Sequence, residues 1–444
     1  MALFVYFCGT MTVEDIYSRL KQCTGVTTDS RKCGPGLMFF ALKGERFDGN
    51  EFVRGALEQG CPYAVMDNAD LYESADSRMI LVDNVLSTLQ QVAAYHRRAL
   101  GTTVIGITGT NGKTTTKELT AAVMSTTYNI LFTQGNLNNS IGVPLTVLGL
   151  RPEHDYAIVE MGASHPGDIK ELVEISQPDF GLITNVGKAH LLGFGSFEGV
   201  KRTKGELYDW LRGHGGTAFV NRDNEHLQQM CAGLPLIEYG KPGQEGLLVE
   251  GEVLECNPFV KFRWRTAGGS WHTVQTSLIG AYNVDNALAA ITIGLKFGVS
   301  EENASQAVAG YKPQNNRSQL TETGRNSLVV DAYNANPTSM AAALENFNMI
   351  KAQDKMLILG DMRELGDASE AEHRRIVQEL RNYGFTDVWL VGSEFAQAAA
   401  GSGFRLFADV DQVNKALEQE KITGKTILIK GSNSIGLTKT LTNL

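Results

Sequence analysis

The chain contains no run of about 18 apolar residues, so nothing in it reads as a membrane-spanning helix. It also lacks a basic tail or stripe. Its 444 residues carry a net charge of −9, which argues against a nucleic-acid binder. Cysteine is sparse: Cys8, Cys23, Cys33, Cys61, Cys231 and Cys256 form no Cys-x-x-Cys pair and have no histidine at zinc spacing. They read as reduced thiols of a cytoplasmic protein, not as a disulfide frame or a zinc site. No internal repeat or low-complexity tract is visible, and no strand runs into a complete Gly-x-Gly-x-x-Gly. Gly401-Ser402-Gly403 lacks the third glycine, which excludes a dinucleotide fingerprint there. The opening Met1–Cys8 run is apolar but short, with no positive flank and no small-residue cleavage site. It is a poor signal peptide. Met11 followed by Thr12-Val13-Glu14-Asp15 predicts a capped helix start, leaving residues 1–10 as an upstream extension or a dispensable strand.

What is present describes an ordinary globular chain, 43% hydrophobic and 20% charged. Its length suggests about three domains. The patterning places them at 1–84, 85–312 and 313–444. The first holds helices and short apolar strands such as Leu37–Leu42 and Tyr63–Met66. The second alternates strands (Thr103–Thr108, Tyr156–Glu160, Phe180–Val186) with helices (Thr115–Met124, Ile169–Ile175, Val284–Lys296). That alternation predicts a mostly parallel sheet covered on both faces. The third repeats the pattern with strands Leu328–Asp331, Met356–Gly360, Val388–Val391 and Thr426–Ile429, a doubly wound unit.

Residues 106–117 read Gly-Ile-Thr-Gly-Thr-Asn-Gly-Lys-Thr-Thr-Thr-Lys and follow the apolar Val104-Ile105. A strand entering a glycine turn, then a helix, aims successive N–H groups and a positive dipole end at one spot. Gly109, Thr110, Asn111, Gly112, Lys113, Thr114 and Thr115 therefore form a candidate ATP-binding loop. Lys113 would reach the terminal phosphates, and Thr114 would hold Mg²⁺. Ile107 stands where the first glycine of the strict pattern would be. The alternative is an ordinary glycine turn with a surface lysine.

Ligands of open parallel sheets collect at the carboxyl ends of strands. Glu160 ends one strand and suits a Mg²⁺ ligand or water orienter; a loop carboxylate or helix cap is the plainer alternative. His190 follows another strand and is either a ligand or a hydrogen-bonded structural group. The run Gly135–Pro144, with Asn136, Asn138 and Asn139, suits sugar, phosphate or peptide groups, or equally a set of Asx turns.

The stretches Thr108–Thr115, Gly135–Pro144, Glu160–Ala163, Thr184–His190 and Lys204-Gly205-Glu206 resemble, in this order, the Mur ligase family. Its members are ATP-dependent amide-bond synthetases of bacterial peptidoglycan assembly. Thr28–Arg31, His190–Ser196, Asp331–Pro337 and Leu359–Gly366 resemble the branch that joins D-alanyl-D-alanine to UDP-N-acetylmuramoyl-tripeptide. The diaminopimelate-adding relative's Asp-Asn-Pro-Arg signature is missing. The resemblance implies an α/β protein of three domains: a small N-terminal α/β UDP-binding domain, a central parallel-sheet phosphate-loop ATPase domain, and a Rossmann-like C-terminal domain that closes over the site. Departures are Asn50 and Tyr282, where histidine is usual, and Asn433, where arginine is common.

The resemblance also implies roles. Lys113, Glu160, His190 and Lys204 would be catalytic. Thr114, Glu160, His190 and Lys204 would bind Mg²⁺, with Lys204 as a carbamate. Asn283, Arg317 and Asp331 would contact ATP. Ser30, Arg31, Asn138 and Asn139 would hold the UDP substrate, and Tyr333, Asn334 and Asn336 the acceptor. The expected chemistry is an acyl phosphate formed from ATP and displaced by an amine. The nearest alternative is an amide ligase of the same superfamily with another amino acid or a folate acceptor. A different class would be a phosphate-loop switch or motor. No sequence feature demands an oligomer, so a monomer is expected.

Overall fold

A computed structural model describes residues 11–313 and 319–444, so the expectations for residues 1–10 and for Arg317 lie outside the described residues. By internal contacts the chain divides into two compact units. One is Met1–Gly106 with Tyr128–Gly162 and Asp168–Asp179; the other is Ile107–Thr127, Ala163–Gly167 and Phe180–Leu444.

In the first unit the helix Val13–Leu20 begins on the expected cap. Thr12 Oγ1 accepts from Asp15 N at 3.2 Å, and the Asp15 carboxylate accepts from Thr12 N at 3.3 Å. Strands Gly25–Thr27, Leu37–Phe40, Tyr63–Met66 and Met79–Leu81 form a parallel four-stranded sheet in chain order. Their apolar residues, among them Phe39, Phe40, Val65 and Met66, are buried without alternation, as in a sheet covered on both faces. The helix Val85–Leu100 ends at Gly101 in the left-handed conformation. Its buried Arg97 donates to Asp179 at 2.7 Å, and the same carboxylate accepts from Val104 N at 2.8 Å. One carboxylate thus ties the helix end to the start of the strand Thr103–Thr108.

In the second unit, strands Phe180–Ile183, Thr217–Asn221, Leu236–Gly240 and Val249–Cys256 pair in parallel. Val249–Cys256, Phe259–Thr266 and His272–Ile279 then continue antiparallel. The central sheet is therefore mixed, which corrects the expectation of strand–helix alternation up to residue 312. The cause is visible in burial. Val260, Phe262 and Trp264 are buried while Lys261, Arg263 and Arg265 between them are not, the period-2 signature of a sheet with one wet face. The helix Asn283–Lys296 is largely apolar and is buried without a break from Asn286 through Gly294.

The last sheet runs in the order Gln319–Glu322, Ser327–Asp331, Thr426–Lys430, Lys355–Gly360, Val388–Val391, Arg405–Phe407. All its pairings are parallel except the first, an antiparallel edge strand. Alternate residues feed two cores: Val329, Leu357, Leu359, Leu390 and Leu428 on one face, Leu328, Met356, Ile358, Ile427 and Ile429 on the other. This is the doubly wound arrangement read from the sequence. No helix among the described residues is long and apolar enough to cross a membrane.

Candidate functional site

In the second unit, Ile107 is buried in the strand Thr103–Thr108, so the turn opens two residues later than the strict pattern, at Gly109. Gly109 has φ +143°, and a Cβ on it would lie 2.0 Å from Thr184 Oγ1. Gly112 has φ +80°, and its Cβ would meet Asn286 Oδ1 at 2.6 Å. Only glycine fits at either point. The loop following Phe180–Ile183 clamps the turn. Thr110 N donates to Asn185 O at 2.9 Å, Asn111 N to Asn185 Oδ1 at 3.0 Å, Gly187 N to Thr110 Oγ1 at 2.9 Å and Thr184 Oγ1 to Asn111 O at 2.6 Å.

Lys113 is the first residue of the helix Lys113–Met124, with Thr114 buried and Thr115 half-buried in its first turn. The Lys113 ammonium donates to Gly109 O at 2.7 Å and Thr110 O at 3.0 Å, so it lies over the loop. Helix N–H groups, dipole and ammonium converge there, which suits a polyphosphate. Beneath it, Thr116 Oγ1 donates to Asn286 Oδ1 at 3.0 Å, and Asn286 Nδ2 to Asn283 Oδ1 at 2.8 Å. Asn283 Nδ2 donates to Ile279 O at 2.8 Å. Asn283 is thus wired into a buried support for the loop. Asn286, one turn further along the same helix, went unremarked in the sequence.

His190 has φ +50° and caps the short helix Leu191–Phe194. Its Nδ1 lies 2.5 Å from Glu364 Oε2. Burial pulls the imidazole pKa below the usual histidine range; Glu364 opposes that, and the Lys113 and Lys204 ammonium groups add to it. Lys113, His190 and Lys204 therefore lie within electrostatic reach of one another. Lys204 is 2% exposed, on the inner face of the helix Phe197–His214 with Val200, Leu207 and Tyr208. Its Nζ is 5.6 Å from the Phe194 ring centroid. It is a buried group, not a surface lysine.

At the end of strand Ser327–Asp331, the Asp331 carboxylate accepts from Lys430 Nζ at 2.5 Å, and Lys430 also donates to Asn334 O at 3.2 Å. Lys430 is fully buried and is a further residue the sequence did not flag. Tyr333 is half-buried and Asn334 exposed. Asn336 has other work: its Oδ1 accepts from Ser339 N at 2.9 Å as the N-cap of helix Pro337–Met349, and its Nδ2 donates to Asn111 Oδ1 at 2.8 Å. It links the strand-end loop of the last sheet to the phosphate loop.

In the first unit, Glu160 ends the strand Tyr156–Glu160 and is 1% exposed. Asn138 Nδ2 donates to its Oε1 at 2.8 Å, and Gly162 N donates to Asn138 O at 2.7 Å. Asn138 therefore orients Glu160. Asn139 Oδ1 accepts from Ile141 N and Gly142 N at 3.2 and 2.8 Å, a turn that starts the helix Gly142–Val147. Ser30 and Arg31 sit on a single 3₁₀ turn capped by Asp29. Arg31 pairs with Asp29 at 2.8 Å, and its hydrogen bonds hold that carboxyl at about 2. Asn50 is buried and bonded to Asp48 and Asp67 at 2.7 and 2.9 Å.

A glycine turn clamped against a second strand-end loop, with a lysine over it and a doubly wound sheet reaching it through Asn336, suits the phosphates of a nucleotide. The chain belongs to the Mur ligase family. The Mur ligase family catalytic domain matches residues 22–97, the Mur ligase middle domain 107–294, and the Mur ligase glutamate ligase domain 316–433. The UDP-N-acetylmuramoyl-tripeptide–D-alanyl-D-alanine ligase of Bacillus subtilis is 35% identical over 429 residues, covering 95% of this chain and 93% of that protein. The crystal structure of MurF from Acinetobacter baumannii superposes with a TM-score of 0.84 at 31% identity, covering 94% of this chain and 92% of that one. The MurF ligase of Thermotoga maritima in complex with ADP gives the same TM-score at 26% identity, covering 96% and 97%.

Proposed function

We propose that this chain is the ATP-dependent ligase that joins D-alanyl-D-alanine to UDP-N-acetylmuramoyl-tripeptide in cytoplasmic peptidoglycan precursor synthesis, acting as a monomer. The observation that carries this reading is the phosphate loop tied through Asn111–Asn336 to the Tyr333–Asn336 loop. Nucleotide and acceptor sites then share one hydrogen-bonded frame. Domains at 1–84, 85–312 and 313–444 would serve the UDP substrate, ATP and the acceptor respectively.

A carboxylate is both unreactive toward an amine and a poor leaving group. Phosphoryl transfer from ATP gives an acyl phosphate, and the amine then displaces phosphate. Lys113 and the N–H groups of Gly109–Thr115 neutralise the transferring phosphate, and catalysis is chiefly positioning and charge compensation. Asp331 and Asn283 serve the nucleotide end, Asn283 through the support it gives the loop. Ser30, Arg31, Asn138 and Asn139 serve the UDP substrate.

Mg²⁺ suits the donors present. Among the described residues no group of three or more His, Cys, Asp or Glu side chains could hold a metal ion. Mg²⁺ is usually held by one or two side chains together with substrate phosphates and water. In the second unit Thr114, His190 and a carbamylated Lys204 are the side chains we assign to Mg²⁺; in the first unit it is Glu160, whose rotamer Asn138 fixes. When bound, the ion neutralises charge that develops on the phosphoryl oxygens.

Phosphate release measured with each substrate omitted in turn tests the function. It is expected only when ATP, the UDP-sugar tripeptide and the dipeptide are all present. Release with ATP alone would favour a switch or motor, and release with a folate acceptor would favour that branch of the superfamily.

Two variant sets locate the substrate ends. Arg31→Ala should raise KM for the UDP substrate and leave KM for ATP unchanged; the reverse pattern would displace the UDP site. Its surface pairing with Asp29 contributes little to folding. Asn334→Ala should raise KM for D-alanyl-D-alanine without changing Tm. Asn336→Ala should also lower stability, by about 1 kcal/mol, because it removes a helix cap. Unchanged dipeptide KM in both variants would place the acceptor elsewhere.

A further inference from the structure

The loop Asp361–Glu364, buried at Asp361 and Met362 and exposed at Arg363 and Glu364, is held at each of its first three residues. Asp361 is fully buried and accepts from Phe395 N and Glu394 N at 2.9 and 3.2 Å. Met362 N donates to His373 Nε2 at 3.0 Å, His373 itself being fully buried, and Arg363 N donates to Ser432 Oγ at 2.8 Å. Three successive residues are therefore pinned, and the fourth, Glu364, projects from the anchored turn with φ +65°. A non-glycine residue in that region costs free energy unless the surroundings fix it. His190, the residue it faces, is left-handed as well, at φ +50°. Leu192 N donates to Glu364 O at 3.0 Å, and Leu192 packs against Gly366, where a Cβ would stand 3.3 Å from its Cδ1. Two strained residues are thus locked face to face by a backbone bond and a side-chain contact.

We infer that Glu364 is a positioning residue for His190, fixing its ring by occupying the Nδ1 side and leaving Nε2 as the nitrogen available to the reaction centre. Nδ1 is enclosed by protein, and the Glu364 carboxylate lies 2.5 Å from it. A carboxylate behind one imidazole nitrogen selects the tautomer and raises the basicity of the other. Lys188 strengthens the same junction. It precedes His190 by two residues and donates to Glu372 at 2.7 Å; Arg375, bonded to Glu372 at 2.9 Å, donates on to Pro337 O at 3.1 Å. Glu364 and Glu372 both belong to the last-sheet segment, while His190 and Lys188 follow the strand Phe180–Ile183. The orientation of His190 therefore depends on the last sheet being engaged.

This inference rests on the ligase reading only for what His190 does next, so its first test avoids turnover. In protein with ¹⁵N-labelled histidine and no substrates, the His190 resonance, assigned with His190→Gln, should report a proton on Nδ1. In Glu364→Ala it should shift toward the Nε2-protonated form, while the buried His373 resonance stays in place. Glu364→Gln, which keeps an acceptor of the same reach, should shift it less. Kinetically, Glu364→Ala should lower kcat by about 10–100-fold, the usual cost of removing a partner of a ligating histidine. KM for ATP should hold, and Glu364→Gln should recover part of the loss. An unmoved His190 resonance in Glu364→Ala overturns the inference whatever the protein ligates. A moved resonance in a chain that ligates nothing would sink the ligase reading and leave the positioning intact.

Discussion

Lys113→Ala should lower turnover by about 10²–10³, the loss expected when one preorganised electrostatic donor is removed from a charge-developing site. The ammonium sits over the turn, bonded to Gly109 O and Thr110 O, so it is pre-placed and needs no reorganisation when phosphate charge grows. Folding should be spared. The turn is held independently by Thr184, Asn185 and Gly187 above and by Asn286 below. Tm should move little, because the Lys113 side chain is only half-buried and fills no core. ATP affinity should weaken less than kcat, since the terminal phosphates gain charge density as the transfer proceeds. Single-turnover measurements at saturating ATP separate the two effects. A folded Lys113→Ala enzyme with near-normal turnover would remove Lys113 from the chemistry.

Much of this was legible because the residues concerned obey local rules. Tyr156–Glu160 and Val388–Val391 are short apolar runs bounded by turn signals, and both strands fall where the pattern put them. The glycine turn at Gly109–Gly112 was legible from its spacing, although Ile107 broke the strict pattern because the strand keeps it in the core. The antiparallel strands between Val249 and Ile279 were missed, yet the alternation of Val260, Phe262 and Trp264 is a strand signal in its own right. Asn336 was similarly readable. Asparagine followed by proline, with serine at the third helical position, is a helix start. Glu364 and Lys430 could not be read locally. Their partners, His190 and Asp331, lie far off in the chain, and nothing in the spacing announces such pairings.

Lys204 carries the sharpest remaining prediction, that it works as a carbamate, as the family resemblance implies. It is 2% exposed on the inner face of the helix Phe197–His214, and its charge acts on His190 in the same direction as that of Lys113. Burial disfavours the charged form of an amine, so a buried lysine gives up its proton more readily than an exposed one. Reaction of the neutral Nζ with CO₂ forms an N–C bond and releases one proton, turning a buried cation into a carboxylate. That anion compensates Lys113 and supplies a hard oxygen ligand of the kind Mg²⁺ prefers. Lys204→Ala should therefore be nearly inactive yet folded, with activity partly restored by millimolar formate or acetate entering the vacated space. Lys204→Arg keeps the cation but cannot form the carbamate, so it should stay inactive and resist rescue. Carbonyl-¹³C NMR of protein equilibrated with ¹³CO₂ gives a readout independent of turnover: one carbamate resonance should appear in the native chain and vanish in Lys204→Ala. Full activity in Lys204→Arg, or a bare Lys204 ammonium in a well-ordered structure of active enzyme, would refute the carbamate.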